Sequence, residues 1–198
     1  DGEAAYLLNP KPRDFTTARF RLVSTWDGVP TDDDLFRTVS RGIPGSAMPS
    51  WGTLSEKERW GLVHYVKSLA EAPWTIDPPS EPTGTGGPGT GIIQVPPEPP
   101  YDAAARETAA ALYRQFCASC HGPEARGDGP QIMRDDRGFL IRPRDLNTGV
   151  FKGSPDPDIL YRRIIAGIPG SPMPASDWAY GTDAWHLVHL IRSLSSDA

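Results

Sequence analysis

One block of eight residues occurs twice in this chain. Gly42-Ile43-Pro44-Gly45-Ser46-Ala47-Met48-Pro49 returns as Gly167-Ile168-Pro169-Gly170-Ser171-Pro172-Met173-Pro174 with a single substitution. The same interval separates Trp60 from Trp185, His64 from His189 and Leu69 from Leu194, and Pro12-Arg13-Asp14-Phe15 recurs as Pro143-Arg144-Asp145-Leu146. A repeat on this scale, in a chain of 198 residues, confines the fold to two related units. Between them runs APWTIDPPSEPTGTGGPGTGIIQVPPEPP, where the chain's 22 prolines and 20 glycines are most concentrated. Polyproline-like ends flank a flexible glycine centre, a composition that forms neither helix nor packed core and reads as a linker. The expected organisation is a front domain over residues 1–71, a Pro/Gly-rich linker over 72–100 and a back domain over 101–198. The repeat is incomplete. Asp1-Gly2-Glu3 lines up best with Asp128-Gly129-Pro130, and nothing in the front part corresponds to residues 102–127.

Every segment with clear periodicity is helical, so the expected fold class is all-α. Asp102 is placed as an N-cap for an alanine-rich helix over 102–117, with Leu112, Tyr113 and Phe116 on one face. Asp156-Pro157 opens a helix through Ile165, which Gly167 stops. Its front counterpart opens at Thr31, with Asp32, Asp33 and Asp34 in the first turn. A capping box, Ser55-Glu56-Lys57-Glu58, starts a helix to about Leu69, and the last helix spans about 182–194. No sustained period-two alternation suggests strands. The remaining loops are long for domains of this size, which is unusual unless something fills the centre.

A net charge of −5 argues against nucleic-acid binding, which calls for a basic surplus. No apolar run approaches the roughly 20 residues of a membrane span. The two cysteines cannot make a disulfide framework, so their placement carries the information. They lie in Cys117-Ala118-Ser119-Cys120-His121, the C-x-x-C-H pattern of covalent haem attachment. Two thiols three apart at a helix end can add to both vinyl groups of one porphyrin, and the adjacent histidine then reaches the iron. A thioredoxin-like dithiol would sit in a βαβ context, which is absent. A zinc site would need a second ligand pair.

The iron then takes a sixth ligand. Met173, stiffened by Pro172 and Pro174, is the candidate, since thioether ligation suits electron transfer. Met133, only 12 residues after His121 in a charged loop, fits less well.

With helix, C-x-x-C-H, methionine loop and final helix in that order, the back part resembles a class I c-type cytochrome. The resemblance implies terminal helices that cross through aromatic side chains, matched by Tyr113 and the helix around Trp185 and Leu190. It implies that Cys117 and Cys120 hold haem c, with His121 and Met173 as axial ligands. The family's Gly-Pro turn offers a proline carbonyl to the proximal histidine, which points to Pro130. Arg142 and Arg144 are candidates for haem propionate partners, a solvated face being the alternative. The front part resembles the latter two-thirds of the same fold, with Met48 as its distal methionine. Lacking a first helix and a C-x-x-C-H, it should not be stable alone. An upstream helix bearing that motif, making a dihaem protein, is the expectation, and a degenerate haemless front domain is the rival. His64 and His189 are read as packing or hydrogen-bonding residues, His186 as exposed, and Trp26, Trp51, Trp74 and Trp178 as pocket or interdomain packing.

The implied function is electron transfer between redox protein partners on the periplasmic side. The mild acidic balance favours a partner with a basic docking patch. Alternatives are the electron-transfer subunit of an oxidoreductase complex, a dihaem peroxidase-like enzyme, which needs an open iron position, and a redox or gas sensor.

Overall fold

The structure is a computed structural model in which residues 2–8, 10–71, 74–81 and 89–196 are described, the side chain of Ser196 excepted. The alignment at Asp1 and the glycine-rich linker centre at 82–88 lie outside the described residues. Helices begin where their caps stand. Helix α1 (Asp32–Arg41) opens on a reciprocal box between Thr31 and Asp34, and α2 (Glu56–Ser68) on one between Ser55 and Glu58. Asp102 accepts from the Ala105 N–H at 2.9 Å and starts α3 (Ala103–Leu112). At α5 (Pro157–Ala166) the expected cap is replaced. The Asp156 carboxylate instead accepts from the Ser154 hydroxyl at 2.6 Å, and Pro157 has no N–H to satisfy. The last helix, α6, covers Thr182–Ser196.

The helix expected over 102–117 runs further and changes pitch. After α3 comes a π turn, Tyr113–Cys117, and then α4 (Ala118–His121), which Gly122 ends at φ +81°. One extra residue in a turn rotates the residues beyond it by about 100° around the helix axis. Both cysteines and His121 are thereby carried at the end of one continuous helical segment.

Among the described residues there are helices, short 3-10 turns and isolated bridges, but no strand. Helix α6 packs against both α3 and α5. Around it lies the main core, where Tyr161, Ile165, Leu187 and Val188 are at most 2% exposed. In the front segment α1 packs on α2, through buried Leu35 and Val63 and a Phe36–Trp60 stack at 4.4 Å.

The recurring sequence blocks fold alike. Gly42 and Gly167 have φ of +67° and +64°, and a Cβ on either would lie 2.5 Å from the carbonyl carbon of Pro49 or Pro174. Only glycine fits there. The Ile43 N–H donates to the Met48 carbonyl at 3.1 Å, and Ile168 to Met173 at 3.0 Å. Asp14 and Asp145 each cap a 3-10 turn that ends in a left-handed residue, Ala18 at φ +55° and Gly149 at +66°.

The linker departs from its expected role. Ile93 is fully buried in the back core, its N–H donating to the Ser24 carbonyl and its carbonyl accepting from Arg162 Nε. Trp185 Nε1 donates to the Pro96 carbonyl at 2.9 Å. Ile92, Ile93 and Val95 form an apolar island inside a proline-rich composition, and burying it stabilises the packed path.

The front and back segments also meet directly. A buried ion pair joins Arg21 to Asp135 at 3.3 Å, and Arg13 pairs with Asp136 at 3.0 Å. The two arginines of the Pro-Arg-Asp blocks exchange partners. Arg13 lies over Gly170 of the back methionine loop, and Arg144 over Gly45 of the front one, each where a Cβ would stand.

Candidate functional site

The end of α4 and the methionine loop enclose one apolar cavity of about 180 Å³. Cys117, Cys120 and His121 enter its wall from the α3–α4 segment, and Pro172, Met173 and Pro174 from the loop after α5. Helix α6 closes it with Leu187 and Ile191. Tyr113 fixes the turn under this site, its hydroxyl donating to the Gly122 carbonyl at 2.8 Å.

Both thiols are free and half-buried. Burial, with a smaller push from Cys120, raises the Cys117 pKa to about 11. Cys120 Sγ donates to Gln131 Oε1 at 2.9 Å. Burial drives the His121 pKa down against a raising effect of the Arg144 backbone, which favours the neutral imidazole that a metal requires. Its Nδ1 is buried and has no hydrogen-bond partner.

The charged part of the lining is of one sign. Among the described residues, Arg142, Arg144, Lys152 and Arg163 contribute to the wall, and no aspartate or glutamate does. Burial holds the Lys152 pKa below its usual value, with Arg21 and Arg144 adding to the effect. Arg163 is 9% exposed and donates to the carbonyls of Arg21 and Gly167, while its Nε is unpaired. An apolar slot with an imidazole, two thiols and a thioether at its walls, and a wholly basic charged lining, fits a planar apolar macrocycle bearing carboxylates. The residues present therefore fit haem.

Of the residues expected from sequence, Cys117, Cys120, His121, Met173, Arg142 and Arg144 meet at this cavity. Met133 lines it as well. Pro130 is exposed and outside the wall, because its loop folds back under α4, where Gln131 N–H donates to the Ser119 carbonyl at 3.3 Å. The backbone group acting on His121 is that of Arg144. Met48 lies in the front loop and does not reach this cavity. His186, expected to be exposed, is only 9% exposed on α6, while His189 pairs with Glu98. Trp178 lines the cavity, Trp26 packs on Tyr180 across the segments, and Trp51 is 45% exposed. Sequence reasoning passed over Lys152 and Arg163. A signal existed for the first: Phe151-Lys152 occupies the place that Phe20-Arg21 holds after the other Pro-Arg-Asp block.

Residues 15–66 and 104–191 match the family model described as cytochrome c oxidase, cbb3-type, subunit III. A chain of the reducing HAO-like protein complex of Kuenenia stuttgartiensis is similar in structure, with a TM-score of 0.80 and 33% sequence identity over 98% of this chain and 86% of that one. No curated protein matches.

Proposed function

This chain belongs to the family of cbb3-type cytochrome c oxidase subunit III, an electron-transfer cytochrome with covalent haem, and we propose that His121 and Met173 are the axial ligands of its back-segment haem. The observation that carries this reading is that both side chains, with Cys117 and Cys120, line one apolar cavity. When bound, haem supplies a one-electron iron couple. The two cysteines tether it by thioether bonds, His121 offers a neutral imidazole, and Met173 offers a soft donor that favours the ferrous state and raises the potential. With haem bound, Leu187, Ile191 and Phe151 would keep water from the ring, and Arg142, Arg144 and Lys152 are the lining cations that would pair with its propionates.

We read the protein as a carrier passing electrons between redox protein partners, extracytoplasmic because haem c is attached there. Among the described residues, no helix is long and apolar enough to cross a membrane. The solved neighbour being a chain of an HAO-like protein complex supports a place as the electron-transfer subunit of a larger oxidoreductase. Met173→Ala should abolish the far-red methionine-to-ferric-iron charge-transfer band and lower the potential. An unchanged spectrum refutes the ligand, and rapid cyanide binding with peroxide turnover in the wild type favours a peroxidase instead.

The duplication we propose extends to a second haem beside Met48. What supports it is an uncovered face. Leu62 of α2 is 37% exposed, whereas Leu187, its counterpart in the repeat, is 2% exposed beneath α3 and the cavity. Tyr65 and Leu69 are likewise open, at 64% and 37%. A helix resembling α3–α4 with its own C-x-x-C-H, lying outside these 198 residues, completes that half. Mass spectrometry of the native protein checks this: two haems are expected, and a single haem removes the second site.

A further inference from the structure

We propose that the hairpin at the cavity mouth is the docking surface for an acidic redox partner, opposite in polarity to what the chain's net charge of −5 suggests. The inference rests on the haem reading of the back cavity. Phe116 and Trp178 line that cavity, pack together at 4.0 Å and remain 45% and 43% exposed. The neighbouring segment, residues 131–144, contributes Met133, Ile141 and Arg142 to the same wall. It folds back on itself, with an Arg134–Leu140 bridge and the Ile141 N–H donating to the Met133 carbonyl at 3.0 Å. The fold-back holds Ile132, Phe139 and Leu140 in water at 81%, 46% and 66% exposure. Solvated apolar side chains grouped around the mouth of a redox site mark an interaction surface.

The charges around this patch decide what it fits. The hairpin has two carboxylates, and the front segment neutralises both: Asp135 is buried against Arg21, and Asp136 is paired with Arg13. Its arginines are not neutralised in the same way. Arg134 is exposed and donates to the Gly138 carbonyl, and Arg137 is exposed, with Asp14 near enough to feel its charge. Asp14 beside Arg137, Asp177 beside Trp178 and Asp128 below α4 are exposed opposing charges; Glu124 is held by Arg126. The hairpin's own surface is therefore basic around an apolar centre, with Arg134 and Arg137 exposed and Lys11 Nζ lying 5.6 Å from the Phe139 ring centroid, and its complement is a partner surface of carboxylates around an apolar centre.

The haem-loaded protein tests this by the salt dependence of its oxidation. Stopped-flow oxidation of the reduced protein by anionic hexacyanoferrate(III) should slow about tenfold as ionic strength rises from roughly 10 to 200 mM. Oxidation by cationic tris(phenanthroline)cobalt(III) should hold steady or quicken. Net charge alone predicts the reverse signs, and observing those reverse signs overturns the proposal. Arg134→Glu and Arg137→Glu should flatten the hexacyanoferrate slope with the absorption spectrum unchanged. An intact spectrum with an unaltered slope also overturns it. Against an acidic blue copper protein, Ile132→Ser and Leu140→Ser should weaken saturation several-fold, and undiminished saturation refutes the apolar centre. If the native protein carried no covalent haem by pyridine haemochrome assay, the haem reading itself would fail, a result distinct from any salt slope.

Discussion

Lys152 holds its charge where burial and two neighbouring arginines oppose it. A lysine whose folded pKa lies below the unfolded 10.5 binds fewer protons when folded, so its contribution to stability rises as pH approaches 10.5. In haem-free protein, the difference in unfolding free energy between wild type and Lys152→Met should therefore narrow as pH is raised toward that value. A carboxylate beside the lysine removes the shift, so the haem-loaded protein should lose this trend. Urea unfolding at several pH values reads both. At this scale the site was legible in part. Cys117, Cys120 and His121 form a local motif whose chemistry follows from spacing, whereas Lys152 and Arg163 are separated from it in sequence and join it only through folding. Pro130 shows the opposite case, a local motif whose side of the loop is set by how that loop packs under α4.

Helices α2 and α6 test how much of an element's environment its own sequence carries. Val63 and Val188 stand at equivalent positions and both are fully buried, yet the next pair toward the N-terminus, Leu62 and Leu187, differs. Leu187→Ala should cost about 3 kcal/mol through the cavity it leaves. Leu62→Ala in a protein of these 198 residues should cost less than about 1 kcal/mol. Denaturant midpoints compare the two directly. Equal losses would show that α2 is covered after all. The helix start at Thr31, the capping box at Ser55 and the proline start of α5 were readable because capping is a short-range hydrogen-bond pattern. The π turn at Tyr113–Cys117 was not, since nothing in the sequence around it distinguishes a wider turn from an ordinary one. The burial of Ile93 was hidden for a different reason: the prolines around it describe how the chain travels and say nothing about what it touches.

Across the whole molecule, the Arg21–Asp135 pair joins the segments through charges that are 9% and 3% exposed. Burial works to raise the Asp135 pKa, but donation from the Phe139 and Arg137 N–H groups and from Arg21 outweighs it and leaves it lowered. Its contribution to stability is therefore present above 3.8 and lost as pH falls through the depressed value. Asp135→Asn should destabilise the protein by about 3 kcal/mol at neutral pH and remove that part of its acid sensitivity. Thermal unfolding at pH 7 and pH 3 measures both effects. The methionine loop depends on the same interface. Gly170 sits at φ +71°, and a Cβ there would lie 2.5 Å from Asp136 Oδ2 and 2.7 Å from Arg13 Nη1. Gly170→Ala should displace Arg13, cost roughly 1–3 kcal/mol, and weaken the methionine charge-transfer band. An unperturbed band would show that the loop is set within the back segment alone.

The exchange of Arg13 and Arg144 between the methionine loops has a consequence for how such a molecule is held together. Contacts in which each half gives the same residue to the same place on the other are those of two identical subunits about a twofold axis. An interface of that kind does not depend on the peptide bond between the halves, and a tether only raises their effective concentration for each other. A protease site introduced at residues 82–88 and then cut should leave a single particle of unchanged sedimentation, its two pieces parting only in denaturant.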